Sequence, residues 1–252
     1  MQEQSIERNR YLLRDSVRKT IDFSETDQSA GLPPPPIEKW YSADAQKIDL
    51  IRPDKFQTLP KADLLSAIAN RRSRRKFNET PLTLGELSFL LWATQGVRDQ
   101  SGAGPVHRTV PSAGNRHALE TYLCVLNVEG LRKGFYRYLP LEHQLVVEYK
   151  DEHAAEKIGP AAFQQNWMSS AAAVFMWAAI PYRMEWRYSL AAHKAILLDA
   201  GHVCQNLYLA CEAIGAGTCA VAAYDQDLMD QLLRIDGKDE FVIYLAAVGK
   251  VS

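Results

Sequence analysis

The chain has 252 residues, 47% of them hydrophobic and 23% charged, the balance of a globular protein with a well-filled core rather than a disordered, collagenous or coiled-coil chain. Its 29 Lys and Arg against 30 Asp and Glu leave a net charge of −1, so no global field drives it onto nucleic acid or an anionic membrane. The longest apolar run, Ala171 to Ile180, stops at Pro181, short of the roughly 18–20 residues that span a bilayer, which excludes a membrane helix.

In chain order, residues 1–60 read as an N-terminal arm and 61–252 as one folded domain. The arm opens without the apolar stretch of a secretory signal, giving a cytoplasmic expectation. A charged stretch, Arg8 to Phe23, is compatible with helix, and the prolines of 33–36 must be extended. Trp40 and Tyr41 either pin the arm to a surface or belong to a tail without chemistry. From Asp63, Leu64, Leu65 and Ile68 fall at helical spacing, ahead of the basic run 71–76. Pro81 and Thr83 open a second helix whose apolar face (Leu84, Leu87, Leu90, Leu91) ends at Gly96. Segments 120–128, 134–138 and 144–149 read as an antiparallel meander, and 172–180 as a strand buried on both faces. The clearest helix spans 189–214 with Gly215 as its stop, followed by a strand at 219–223, a helix at 227–233 and a strand at 241–248. Strands in a run between helices give an α+β class, with helices packed on a mostly antiparallel sheet. Neither G-x-G-x-x-G after a strand nor a P-loop is present, so Rossmann and P-loop readings lack their phosphate loops.

Four features bear on chemistry. Arg71, Arg72, Arg74, Arg75 and Lys76, with Ser73 among them and no acid, form either a phosphate cradle, a nucleic-acid patch or a solvated face. The small-residue turn at 111–115 (PSAGN) precedes a strand and allows close backbone approach to a planar ligand, or is a plain loop. Cys124, Cys204, Cys211 and Cys219 have no C-x-x-C spacing and read as buried thiols. His193 and His202 lack a third ligand, so no metal site is expected, and Asp199 with His202 reads as a structural i,i+3 pair.

RRSRRKF (71–77), RTVPSAGNRHALETYL (108–123), WRYS (186–189), DAGHVCQNLYLACEAIGAGTCAVAAYD (199–225) and FVIYLAAVGK (241–250) together resemble the nitroreductase-like flavoproteins. Within them the chain is most similar to the SagB/McbC-type dehydrogenases, which oxidise thiazolines and oxazolines in peptide natural products. The resemblance covers roughly residues 60–250 and implies the nitroreductase-like fold, FMN, and a homodimer with the flavin at its interface. It implies that Arg71, Ser73 and Arg75 hold the FMN phosphate with Arg72 nearby. Pro111, Ser112, Ala113 and Asn115 would lie along the isoalloxazine and ribityl chain, often that of the partner subunit. Ala220, Val221, Ala222 and Ala223 match the segment approaching flavin N5, with Ala222 where classical nitroreductases commonly carry Glu. Those also hold the phosphate through a C-terminal basic pair not found here; Lys250 is the nearest substitute, or a solvated lysine. The Lys-Tyr pair of McbC-type enzymes is matched by Arg187 and Tyr188. An always-protonated arginine cannot be a base, which leaves Tyr188 as the candidate base, with Arg187 to favour its phenolate or to bind substrate. A cyclodehydratase and a precursor peptide would act elsewhere in such a pathway. The alternatives are an NAD(P)H-dependent nitro or quinone reductase, and a flavin- or nucleic-acid-binding protein without turnover. Independently of the resemblance, the helix around Ala195 to Ile214 is apolar over most of its circumference, and a second copy of the chain would cover what one sheet cannot.

Overall fold

A computed structural model of the chain describes residues 2–60, 62–100 and 105–251. The helices are α1 (Gln2–Leu13), α2 (Leu64–Asn70), α3 (Leu84–Gln95), α4 (Ala154–Ala161), α5 (Tyr182–Tyr188), α6 (Ala192–Ala213) and α7 (Gln226–Leu233). The strands are β1 (Lys47–Asp49), β2 (Val97–Gln100), β3 (Val106–Arg108), β4 (Leu119–Val125), β5 (Gly134–Leu139), β6 (Gln144–Lys150), β7 (Ala173–Ala179), β8 (Ala216–Val221) and β9 (Phe241–Lys250). Seven strands form one sheet in the order β1-β6-β5-β4-β7-β9-β8, with every neighbouring pair antiparallel, while β2 and β3 form a separate ribbon. Alternation along the central strands divides the core in two. Leu119, Leu123, Phe175 and Trp177 face α3 and α6, whereas Tyr122, Cys124, Val174 and Met176 face α4 and α7. The α+β expectation, helices packed on a mostly antiparallel sheet, holds.

Local sequence explains the element ends. Thr83 and Glu86 close a capping box at the start of α3, the side chain of each accepting from the other's backbone N–H. The helix expected over 189–214 is broken near its start: Ser189 sits at φ 49°, ψ −134°, which ends α5 at Tyr188, and a short 3-10 turn leads into α6. Gly215, at φ 63°, supplies the left-handed residue after α6. The strand expected at 219–223 is β8 at 216–221, so Ala222 and Ala223 lie beyond it. The charged stretch 8–23 is not one helix, since α1 ends at Leu13 and a 3-10 turn spans 15–20. Among the described residues no helix is long and apolar enough to cross a membrane.

The arm is built into the body, and of the two expected pins one holds. Trp40 is 80% exposed, whereas the Tyr41 hydroxyl donates to Glu142 (3.2 Å); backbone groups and Lys39 supply the further anchors. Arg137 donates to the carbonyls of Lys39 (3.0 Å) and Trp40 (3.2 Å), and Arg108 to that of Ile37 (2.8 Å). Lys39 gives its N–H to Glu120 (2.8 Å) and its ammonium to Glu240 and the Tyr122 hydroxyl. Strand β1 pairs with β6. Beneath this strap, Glu120, Arg108, Arg137 and Arg183 are all buried.

Glu38 in the strap accepts from the Leu141 N–H (3.1 Å), and burial, with Glu142 and Glu120 close by, pushes its carboxyl up to about 7. The fold therefore holds this proton more tightly than the unfolded chain does, and stability falls as Glu38 ionises between its unfolded value and about pH 7. Glu38→Gln should raise the melting temperature at pH 8 by roughly 3 °C or more and change it little at pH 4.5, as read by differential scanning calorimetry at both pH values. An equal shift at both would remove ionisation as the cause.

Candidate functional site

The basic run leaves the end of α2 and crosses the edge of the sheet. Ser73 bridges Thr218 of β8, the Arg74 N–H donates to the Thr218 carbonyl (2.9 Å), and the Asn78 N–H to that of Lys250 (2.9 Å). Two glycines permit this approach: a Cβ on Gly217 would stand 2.5 Å from Arg74 Cγ, and one on Gly249 would stand 2.7 Å from Phe77 Cγ. The segment thereby covers the edge that β8 would otherwise expose.

Tyr208 of α6 organises this corner. Its hydroxyl lies 3.1 Å from Ser73 Oγ and accepts the Ala220 N–H (2.9 Å), while the Arg71 guanidinium sits 5.2 Å over its ring. Arg75 lies 6.0 Å over the Trp167 ring. The side chains of Arg71 and Arg75 make no hydrogen bond or ion pair among the described residues, and Arg74 Nε is buried without a partner. Free cations, a hydroxyl and an orphaned N–H with no acid among them are a donor set that fits a phosphate.

Two basic residues expected at this corner are committed elsewhere. Arg72 Nη1 caps α2 through the carbonyls of Ala69, Asn70 and Arg71 (3.1, 3.3 and 3.1 Å). Lys250 is neither at the cradle nor solvated: its ammonium pairs with Glu86 and donates to the Ile214 carbonyl (2.7 Å), at the negative end of α6.

The 111–115 turn forms a second cluster. Ser112 Oγ accepts the His117 N–H (2.9 Å), and the Ala113 N–H points between both oxygens of Asp199 on α6 (3.3 Å each). Burial raises the Asp199 carboxyl, and the bonds from Ser112 and Ala113 oppose that rise. Asn115 donates to the Val106 carbonyl (2.9 Å) and its Oδ1 meets His117 Nε2 (2.8 Å). Burial first, then Arg108 and Arg116, push the His117 imidazole down to about 3, so it stays neutral and can donate there. Gly114, at φ 56°, abuts the end of α5, where an added Cβ would meet Tyr188 Oη at 2.5 Å and Arg187 Cδ at 3.0 Å. Arg187 lies 5.5 Å over the Tyr188 ring, and the Tyr188 hydroxyl has no hydrogen-bond partner among the described residues.

The structure thus joins Arg71, Ser73, Arg75 and Ala220 in one patch, and Ser112, Ala113, Arg187 and Tyr188 in another. Their anchors on α6, Tyr208 and Asp199, are nine residues apart, roughly 13 Å along the axis. Val221 is buried, while Ala222 and Ala223 are exposed past the strand end. Sequence reasoning missed Tyr208 and Trp167, and paired Asp199 with His202, whose charge does act on it, without foreseeing its bonds to the turn. Exposed aliphatic residues lie on the helices that carry both patches: Leu197 and Leu198 on α6, and Leu64, Leu65 and Ile68 on α2, whose apolar face points outward. A cavity of about 460 Å³ lies between α2, α3 and α6, lined by Leu64, Phe89, Trp92 and Leu209 among others. The four cysteines are free and buried, and burial raises each thiol.

The sequence matches the Nitroreductase family over residues 68–250. It is 35% identical over 187 residues to the "Putative nitroreductase MJ1384" of Methanocaldococcus jannaschii, covering 74% of this chain and 90% of that protein. Among solved structures, a "putative nitroreductase" of Anabaena variabilis is 25% identical with TM-score 0.68, over 83% of this chain; the chain spans 42% of that protein's length. The fold recurs at lower identity in the E. coli microcin synthetase McbBCD complex with truncated pro-MccB17 bound (18%, TM-score 0.62, 85% of each chain). It recurs also in a "putative nitroreductase" of Exiguobacterium sibiricum in complex with FMN (16%, TM-score 0.55, 77% of this chain and 91% of that one).

Proposed function

The chain belongs to the nitroreductase family of oxidoreductases, and from that premise we propose that it is an FMN-dependent dehydrogenase of the SagB/McbC type, moving hydride between a substrate carbon and flavin N5. The observation that carries this reading is the Tyr208 hydroxyl, which ties Ser73 of the basic run to the Ala220 N–H, so that the phosphate donors and the strand end expected at N5 share one surface. Arg71, Ser73 and Arg75 hold the phosphate; Arg72 and Lys250 do not, being engaged with α2 and with Glu86. The backbone of 220–223 borders the flavin ring, and Ala222 contributes no side-chain acid to its tuning. Bound FMN supplies a two-electron acceptor.

The second patch completes the site from a partner subunit. The 111–115 turn is held open by Asp199 and floored by Gly114, and it presents backbone to a planar ring. The exposed leucines of α6 and α2 form the face that a homodimer buries. Tyr188, its hydroxyl unengaged beside Gly114, as the phenolate takes a proton from the ring carbon next to the one that gives up hydride, so that the C=C bond forms between them, and Arg187 sits over its ring. The substrate class is an azoline of a modified peptide, oxidised to an azole in the cytoplasm after a cyclodehydratase has closed the ring. The microcin synthetase complex, which carries a truncated pro-peptide, supports this choice.

The name of the 35% identical relative favours a second reading, an NAD(P)H-dependent nitro or quinone reductase. Anaerobic stopped-flow mixing of holoprotein with NADH or NADPH separates the two: slow or absent bleaching, with rapid bleaching by a thiazoline peptide, is expected for the dehydrogenase. Rapid bleaching by a nicotinamide would establish the reductase.

The cradle has its own test. A charge-assisted hydrogen bond contributes roughly 1.5–3 kcal/mol, so Arg71→Ala and Arg75→Ala should each weaken FMN about ten-fold or more in a fluorescence titration. Unchanged affinity in both variants would return the run to a solvated face.

A further inference from the structure

The arm borders an open hollow beside α5. The hollow, about 370 Å³, is lined by Arg18, Phe23, Gln28 and Ser29 of the arm and by Arg187 and Tyr188 of α5, with Thr26 completing it. Its wall is fixed at several points. The Gln28 N–H donates to the Trp186 carbonyl (2.9 Å), Trp186 Nε1 to the Leu32 carbonyl (3.1 Å), and the Tyr182 hydroxyl to Asp27 (2.8 Å). Within the arm, Ser29 Oγ donates to the Phe23 carbonyl (2.7 Å), and Thr26 Oγ1 does the same (3.1 Å).

Two arginines, Arg18 and Arg187, line this space and no acidic residue does. Arg187 is half-buried and makes no hydrogen bond or ion pair among the described residues. Arg18 gives only Nε, to Asp15 (2.8 Å), which orients its plane and leaves both Nη groups without a protein partner there. Three acids nearby are engaged, Glu185 with His193 (2.8 Å), Asp27 with Tyr182, and Asp22 with the Ser24 N–H (2.9 Å), while Glu25 lines the neighbouring hollow and not this one. Each guanidinium also lies over a ring, Arg18 over Phe23 at 5.9 Å and Arg187 over Tyr188 at 5.5 Å. Arg18 is paired only through Nε and Arg187 not at all, so donors remain for an anion, and the planar arginine fork suits a carboxylate. The volume lies at the small end for ligand pockets, fit for one or two rings rather than a folded partner.

We propose that this hollow is the substrate-recognition pocket and takes a ring that bears a free carboxylate, the carboxylate held by Arg18 and Arg187 and the ring set against Phe23 and Tyr188. The inference rests on the reading that Tyr188 faces the reacting carbon. It makes the arm the element that chooses the substrate, and it separates a terminal azoline carboxylate from a ring inside a peptide chain, where the same position is an amide.

Two unreactive probes test it: phenylthiazole carboxylate and phenylthiazole carboxamide, titrated calorimetrically into FMN-saturated protein so that the Arg71–Arg75 cradle is already filled. The carboxylate should bind at least about ten-fold tighter than the amide. Arg18→Gln, at an exposed position, should abolish that preference without changing FMN content, and Phe23→Ala should weaken both probes alike. Equal affinities, binding of neither probe, displacement of FMN by the acid, or a preference that Arg18→Gln leaves unmoved would overturn the proposal. Binding of these probes needs no turnover, so a protein that prefers the carboxylate yet oxidises no azoline would refute the proposed reaction alone.

Discussion

Exchanging Tyr188 for phenylalanine is expected to slow substrate-driven flavin reduction at least about 100-fold, while FMN content and association state stay as they are. The change removes one atom. That oxygen has no hydrogen-bond partner among the described residues, so no network is broken, and the ring remains against Arg187 and Gly114. A positioned general base contributes roughly 10²–10⁴ in rate, and 100-fold is about 2.7 kcal/mol of barrier. Single-turnover bleaching by a thiazoline peptide reads the effect directly. A rate within about threefold of wild type would make Tyr188 a packing residue and shift the weight to the reductase, which needs no base at this helix end.

A comparable effect, on stability, is expected for Glu120→Gln. Glu120 is 2% exposed; its Oε1 accepts from Arg183 (2.5 Å) and from the Lys39 N–H (2.8 Å), and its Oε2 lies 3.6 Å from Arg137. Arg183 pairs with this carboxylate, Arg137 shares it with Glu148 (2.8 Å), and Arg108, which burial pulls down to about 10, feels its charge. Removing one partner of a buried pair leaves uncompensated charge and costs about 3–5 kcal/mol, which urea denaturation would show as a lowered midpoint. The exposed pair Arg132–Glu152 (3.0 Å) is the control, since Glu152→Gln should cost less than about 1 kcal/mol. Equal small losses in both would mean that water reaches Glu120 and that the strap is not held by it.

The features legible in the sequence are those written into neighbouring residues. Helix α3 announces itself through Thr83, Glu86 and Gly96, and β7 through an apolar run with no polar face. The basic run stands out because it lacks acids, and Arg71 and Arg75 do remain without a countercharge among the described residues. What the sequence hides is which backbone group a distant side chain will find. Arg72 and Lys250 are chemically as able to bind phosphate as Arg71, but carbonyls brought near them by α2 and α6 take them first. The arm reads as a tail because its anchors are carbonyls of residues 37, 39 and 40, which carry no side-chain signature. Helix α4 is obscured by Pro160 within it, and β1 by its three-residue length. The break at Ser189 is likewise invisible, because serine has no preference for positive φ and only the packing of α5 against the 111–115 turn imposes it.

The central claim is that the Arg71–Arg75 corner is built for a flavin carrying a single phosphate. It is tested most directly by titrating apo-protein with FMN and with FAD, following flavin fluorescence. The predicted result is saturation at one FMN per chain with clearly weaker binding of FAD, because the corner offers donors for one phosphate and the sequence has no fingerprint for an adenine half. Tighter binding of FAD, or binding of neither flavin, would contradict it.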